Sequence, residues 1–209
     1  MLKRLLLSSL AAAALTASAP VLAQDHDALR MVTSFAIEDL NPFNEGYWMQ
    51  EFGVAELLVK FERDGSLAPW LLSAYEAKDD LTWVLTVREG VSFQNGKALD
   101  ANAVMAAINM AMENSTGSRG AVPEGTTFEV TGDYEITIKT VQPWPALPGV
   151  LANEGVFLIF DAEAVAAAGD DWPSLAGKGI YTGPYEIVSL SSEALVTSRF
   201  DNYWRGKPA

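Results

Sequence analysis

The chain has 209 residues, a formal net charge of −13, 49% hydrophobic residues, six tryptophans, one histidine and no cysteine. The acidic excess argues against nucleic acid and anionic lipid as partners. Without cysteine there is no disulfide, and with His26 alone there is no histidine-based triad or multi-histidine zinc site.

Lys3-Arg4 precede an apolar run from Leu5 to Leu15, and Val21-Leu22-Ala23 offers a small-residue cleavage site before Gln24. The run is too short to cross a bilayer, so residues 1–23 are expected to be a secretory signal peptide cut after Ala23. No cysteine stands at the cut to accept a lipid, which predicts a product free in the periplasm.

Leu29 to Phe35 is expected as a first strand, broken at Asn41-Pro42. Tyr47 to Phe61 reads as a helix. Its two apolar stripes, Trp48, Phe52, Ala55 and Val59 on one and Val54, Leu57, Leu58 and Phe61 on the other, imply burial on most sides. Thr82 to Arg88 alternates as a half-buried strand does, with Trp83, Leu85 and Val87 on the core face. Gly90 and Asn95-Gly96 then mark turns. Asp100 is a good N-cap for a helix on which Val104, Ile108, Ala111 and Met112 recur, ending near Asn114 and Gly117.

Phe128 to Val141 is expected as a hairpin through Gly132-Asp133, stopped by Gln142-Pro143-Trp144-Pro145. Gly155 to Phe160 is a continuous apolar run that suits a central strand. Asp161 caps an alanine-rich helix that Gly169 closes, and Tyr185 to Leu190 pairs with Leu195 to Phe200. Mixed alternating and continuous strands with a few helices fit an α+β or α/β layered fold.

Signals of chemistry are few. Asp79-Asp80 and Asp170-Asp171 stand beside elements where acids normally face water, and Gly177-Lys178-Gly179 has the wrong spacing for a dinucleotide loop. No catalytic residue, metal site or cofactor is assigned. Aromatic residues are the better lead. Tyr47-Trp48 begin a helix after the Asn41-Pro42 loop, and Trp144 lies between two prolines. A flat amphipathic ring at such a place can stack on a ligand, although Trp48 also fits the buried stripe of its helix. Glu45 can receive a cationic group or simply complement the helix dipole. Arg119, in a Gly/Ser-rich stretch, is a candidate anion clamp.

The stretch Asp64-Gly65-Ser66-Leu67-Ala68-Pro69, followed by Thr82-Trp83-Val84-Leu85-Thr86-Val87-Arg88-Glu89-Gly90-Val91-Ser92-Phe93-Gln94-Asn95-Gly96, resembles the extracellular solute-binding proteins of family 5. Leu40-Asn41-Pro42, Glu56-Leu57-Leu58-Val59, Tyr181-Thr182-Gly183-Pro184-Tyr185 and Asp201-Asn202-Tyr203-Trp204-Arg205-Gly206-Lys207-Pro208 extend the resemblance in order and rough spacing. Two positions depart from the pattern: Ala103 stands where an acid is usual, and Tyr181 where a glycine is.

The resemblance implies a type II periplasmic-binding-protein-like architecture. Residues 24–62 and 162–209 would belong to lobe I and residues 63–161 to a subdomain inserted in it. Family members continue well beyond the Tyr-Trp-x-Gly-Lys-Pro segment into a second lobe, so this chain resembles an amino-terminal portion. By itself it would then bind solute poorly, and an uncovered sheet edge would stand near Leu195 to Phe200.

The resemblance further implies a monomeric periplasmic receptor that delivers a solute to the permease subunits of an ABC importer, without catalysis. Peptide is the expected solute, with Glu45, Tyr47, Trp48 and Trp144 as candidate ligand contacts. A nickel or metal-chelate receptor is the alternative within the family. From another class, a secreted carbohydrate-binding module or glycosidase is the rival.

Overall fold

The computed structural model describes residues 31–208. Residues up to Phe35 and those from Ala36 onward form two units. In the first, the Thr33 hydroxyl donates to the Phe35 carbonyl at 2.6 Å, and Met31 to Phe35 form no strand. An extended segment becomes a strand only where a neighbour takes up its backbone groups. Leu29, Arg30, His26 and the signal segment lie outside the described residues.

In the second unit, helix α1 spans only Gly46–Glu51, not Tyr47 to Phe61. Gly53 adopts φ 70°, and the N–H groups of Val54 and Ala55 fold back to the Met49 carbonyl at 2.8 and 3.0 Å. Those bonds close the helix and release the chain into an extended course. Its carbonyls are then claimed from elsewhere: Gly183 N–H reaches Val54 O at 3.1 Å and Tyr185 N–H reaches Gly53 O at 3.1 Å. Val54, Ala55, Leu57, Leu58 and Val59 are buried as expected, but by neighbours on two sides of an extended segment, while Phe61 is exposed.

Strands β1 (Val59–Phe61) and β2 (Leu67–Pro69) form a hairpin in which Gly65 takes φ 83°. The main sheet holds β3 (Leu72–Ala77), β4 (Thr82–Val87), β5 (Thr127–Gly132) and β6 (Glu135–Lys139), in the antiparallel order β3-β4-β6-β5. Leu85 sits opposite Ile136 and Trp83 opposite Ile138. Helix α2 (Ala101–Asn114) starts where Asp100 accepts the Ala103 N–H at 2.8 Å, and its Val104, Ile108 and Ala111 join Leu85, Val87, Ile136 and Ile138 in one core.

The Gly/Ser-rich stretch around Arg119 folds into a short helix, α3 (Thr116–Ala121), capped by the Ser115 hydroxyl. A four-residue turn, α4 (Leu147–Val150), follows the Trp144-Pro145 corner. Gly155 to Phe160 is not a central strand. Only Ile159 makes a bridge, to Glu56, and the Val156 and Phe157 N–H groups return to the Asn153 carbonyl as a turn. Its apolar residues Phe157 to Phe160 are buried as side chains in the core, so hydrophobicity alone misread the backbone.

Asp161 caps α5 (Ala162–Ala168), accepting the Glu163 and Ala164 N–H groups, and Gly169 closes it at φ 58°. A 3₁₀ turn (Trp172–Leu175) leads to the hairpin of β7 (Tyr185–Leu190) and β8 (Leu195–Arg199). Every pairing among the described strands is antiparallel, giving an α+β arrangement. Tyr181, at the position where the motif usually has glycine, is buried and donates its hydroxyl to Met49 Sδ at 2.9 Å, tying α1 to the last third of the chain.

Candidate functional site

The start of α1 meets the turn at Glu154, and that turn in its own course meets α3. Gly46 faces the backbone of Glu154 so closely that a Cβ there would stand 2.4 Å from the Glu154 carbonyl oxygen. Helix α3 meets the same turn through Ser118, whose hydroxyl donates to the Val156 carbonyl at 2.6 Å. Tyr47 projects from this junction with 43% of its surface exposed. Partial loss of water, together with the nearby Glu45 and Glu51 carboxylates, holds its phenol above the usual pKa.

Beside α1 lies a groove of about 480 Å³, bordered by Gln50, Glu56, Lys60, Trp70, Glu154, Tyr203 and Arg205 among others. Its floor is organised by Glu56, a carboxylate 5% exposed. Burial of a carboxylate is costly unless hydrogen bonds replace water. Here the indole N–H of Trp70 donates to Oε1 at 2.8 Å, the Tyr203 hydroxyl to Oε1 at 2.6 Å and the Trp204 indole N–H to Oε2 at 3.0 Å. Burial still pushes the Glu56 carboxyl upward, offset in part by those bonds from Tyr203, Trp204 and Trp70. Burial and the Glu56 charge likewise raise the Tyr203 phenol.

Cations gather on the same aromatic rings. Lys60 Nζ lies 4.1 Å and the Arg205 guanidinium 4.5 Å from the centre of the Trp70 ring, while Arg88 lies 4.9 Å from that of Trp204. Trp70 and Trp204 meet edge to face at 5.4 Å. Such a surface can hold a small polar solute by stacking and charge-assisted hydrogen bonds.

Of the residues singled out from sequence, Glu45 and Tyr47 lie at the α1 junction. Glu45 accepts a hydrogen bond from the Trp48 indole N–H, so one of its oxygens is already engaged. Trp48 and Trp144 do not offer their rings to a ligand on this surface. Trp48 is fully buried beside Phe52, because its position on α1 faces inward, and Trp144 is 6% exposed, because the proline corner turns it into the core above α4. Arg119 is not poised as an anion clamp; one Nη donates to the Met112 and Glu113 carbonyls, both at 2.7 Å, and so serves the C-terminus of α2. Asp79, Asp80, Asp170 and Asp171 are exposed. No cluster of three or more His, Cys, Asp or Glu able to hold a metal occurs among the described residues.

Sequence reasoning missed Glu56, Lys60, Trp70, Tyr203 and Arg205 as one assembly. A signal was present: Glu56 is the one acid in the run Val54-Ala55-Glu56-Leu57-Leu58-Val59, and a carboxylate in a buried run must find donors. Nothing in the sequence says that those donors come from both Trp70 and the distant Tyr203-Trp204.

Residues 66–209, more than half of the chain, match the family model of the bacterial extracellular solute-binding proteins, family 5. The chain belongs to this family. The nickel-binding protein NikA of Staphylococcus aureus is 28% identical over 159 residues, covering 76% of this chain and 30% of that protein. The glutathione-binding protein GsiB of Salmonella paratyphi A is 28% identical over 152 residues, covering 71% of this chain and 29% of that protein. Among solved structures, S. aureus NikA in complex with Ni(L-His)2 superposes with a TM-score of 0.71 at 27% identity, covering 83% of this chain and 35% of its own. A nickel ABC transporter structure from Bacillus halodurans gives 0.70 at 29% identity, covering 82% and 34%. The chain thus spans about a third of the length of these relatives, and its fold is that of a family 5 periplasmic binding protein over the matched part. Members of the family are transport receptors for small solutes.

Proposed function

We propose that this chain contributes to the solute-capturing receptor of an ABC importer and that the solute is peptide-like. The observation that carries the reading is the family match over residues 66–209, with a groove beside α1 of a size that suits a small solute. In this reading Tyr47 and Glu45 stand on the capture wall, and the groove supplies its cations and aromatic rings. Capture is reversible and involves no catalysis. The mature protein is a monomer in the periplasm, released by cleavage after Ala23, and its partners are the permease subunits of the importer. Residues 24–62 and 162–209 belong to its first lobe and 63–161 to an inserted subdomain.

A second reading, a nickel or metal-chelate receptor, is favoured by the nickel-binding relatives and structures. The two are separated by uptake. Disruption of the gene in its host is expected to abolish accumulation of a labelled dipeptide and to leave nickel accumulation unchanged. Loss of nickel uptake alone supports the second reading and contradicts the first.

A further inference from the structure

Tyr181 stands where the motif usually has glycine, and its side chain makes a contact that glycine cannot. It is 2% exposed, and its hydroxyl donates to the sulfur of the fully buried Met49 at 2.9 Å. A buried phenol requires an acceptor, and a thioether is a weak one, so the bond fixes a position more than it adds stability.

The position it fixes is that of the last turn of α1. The Met49 carbonyl accepts the Val54 and Ala55 N–H groups at 2.8 and 3.0 Å, which closes the helix. Just beyond Tyr181, the Gly183 N–H reaches the Val54 carbonyl and the Tyr185 N–H the Gly53 carbonyl, both at 3.1 Å. The Gln94 side-chain amide braces this grip from behind, donating to the Gly183 and Tyr185 carbonyls at 2.9 Å each. Residues 181–185 thus hold residues 49–54 at three points. Two are backbone bonds, open to any residue at position 181. The third requires a side chain long enough to reach Met49.

The segment held in this way is a wall of the groove. Gln50, next to Met49, borders it with Gly53, Ala55 and Glu56, and Pro184 borders it from the holding segment. A site whose wall is fixed in advance binds more tightly, because less order has to be imposed when solute arrives.

We infer that Tyr181 is a positioning residue for solute capture, fixing the α1 wall of the groove through Met49. This rests on the reading that the groove takes solute, and it makes the affinity of this chain depend on a residue that the usual motif does not have.

The test is isothermal titration of the protein, expressed from its whole gene, with glycylglycine and with nickel–histidine, in the parent, Tyr181→Phe, Met49→Leu and the double variant. Tyr181→Phe keeps the ring and removes only the hydroxyl, while Met49→Leu keeps the bulk and removes the acceptor. Each single variant is expected to weaken glycylglycine by about fivefold, the net worth of one hydrogen bond. The double variant should be no weaker than either, because both changes remove the same contact. A residue that only packs the core would lower the melting temperature and leave the affinity alone, since affinity falls only with the fraction of protein competent to bind. Unchanged affinity in Tyr181→Phe therefore overturns the inference and leaves the receptor reading standing. Additive losses in the double variant overturn it as well, by showing that the two residues act separately. The same pattern seen with nickel–histidine in place of glycylglycine supports the inference and overturns peptide capture. A parent that binds neither probe overturns both.

Discussion

The Tyr203 hydroxyl donates to Glu56 Oε1 at 2.6 Å, joining residues 147 positions apart. With Trp70 and Trp204 on the same carboxylate, it ties the extended segment after α1 to the Tyr-Trp-x-Gly-Lys-Pro motif and sets the floor of the groove. Replacing Glu56 by Ala leaves three donors without their acceptor. Each buried donor so stranded costs about 1 to 3 kcal/mol, less where water can reach it, so a total loss of about 2 to 4 kcal/mol is expected. Glu56→Gln, which keeps one acceptor oxygen, should lose less. Urea denaturation of the two variants and the parent checks the order.

Glu56 and Asp161 should impose opposite dependences on pH. The Glu56 carboxyl is raised above its ordinary 4.5 by burial, so its contribution to stability is full below that value and declines as pH rises through its folded pKa. Asp161 is also opposed by burial, but Lys97 at 2.9 Å, Asn95 at 2.8 Å and the Ala164 N–H outweigh it and lower its pKa below the ordinary 3.8. Its contribution is therefore present above 3.8 and is lost as pH falls through the depressed value. In denaturation series across acid pH, Glu56→Gln should remove the decline at the upper side and Asp161→Asn the decline at the lower side.

Gly183 is held where no side chain fits. A Cβ there would lie 2.4 Å from both the Gly53 and Val54 carbonyl oxygens, and backbone on each side cannot yield without losing the Gly183–Val54 and Tyr185–Gly53 bonds. Gly183→Ala is expected to destabilise by about 3 kcal/mol, at the upper end of overpacking costs. A melting temperature close to the parent's would contradict this packing.

Trp144 should matter to stability as much as Trp83. From sequence, Trp83 belongs to a core face and Trp144, between two prolines, is a candidate ligand contact, yet Trp144 is 6% exposed and Trp83 half-buried beside Tyr75. Removing a buried aromatic costs about 3 to 5 kcal/mol. Trp144→Ala is therefore expected to lower the melting temperature at least as far as Trp83→Ala, and a silent Trp144→Ala would return it to the surface.

Local rules made much of this fold legible. The β4 alternation, the Gly132-Asp133 hairpin, the Asp100 and Asp161 caps and the closing hairpin were all readable because each is decided within a few residues of itself. The misreadings share a cause. Val54 to Val59, apart from Glu56, and Phe157 to Phe160 are apolar, and such runs report burial without saying whether the backbone is helix, strand or irregular. What settles them is distant: the Gly183 and Tyr185 amides for the first, and the single Glu56–Ile159 bridge for the second. The groove was less legible still. Its members come from α1, β1, the turn at Trp70 and the chain after β8, and only the fold brings a lone buried acid to its three donors.

The measurement that bears most directly on the account is isothermal titration of the protein, expressed from its whole gene, with dipeptides and with nickel–histidine. The account predicts saturable binding of a dipeptide at about micromolar levels, with no heat from nickel–histidine. Saturable binding of nickel–histidine with no response to any peptide would contradict it.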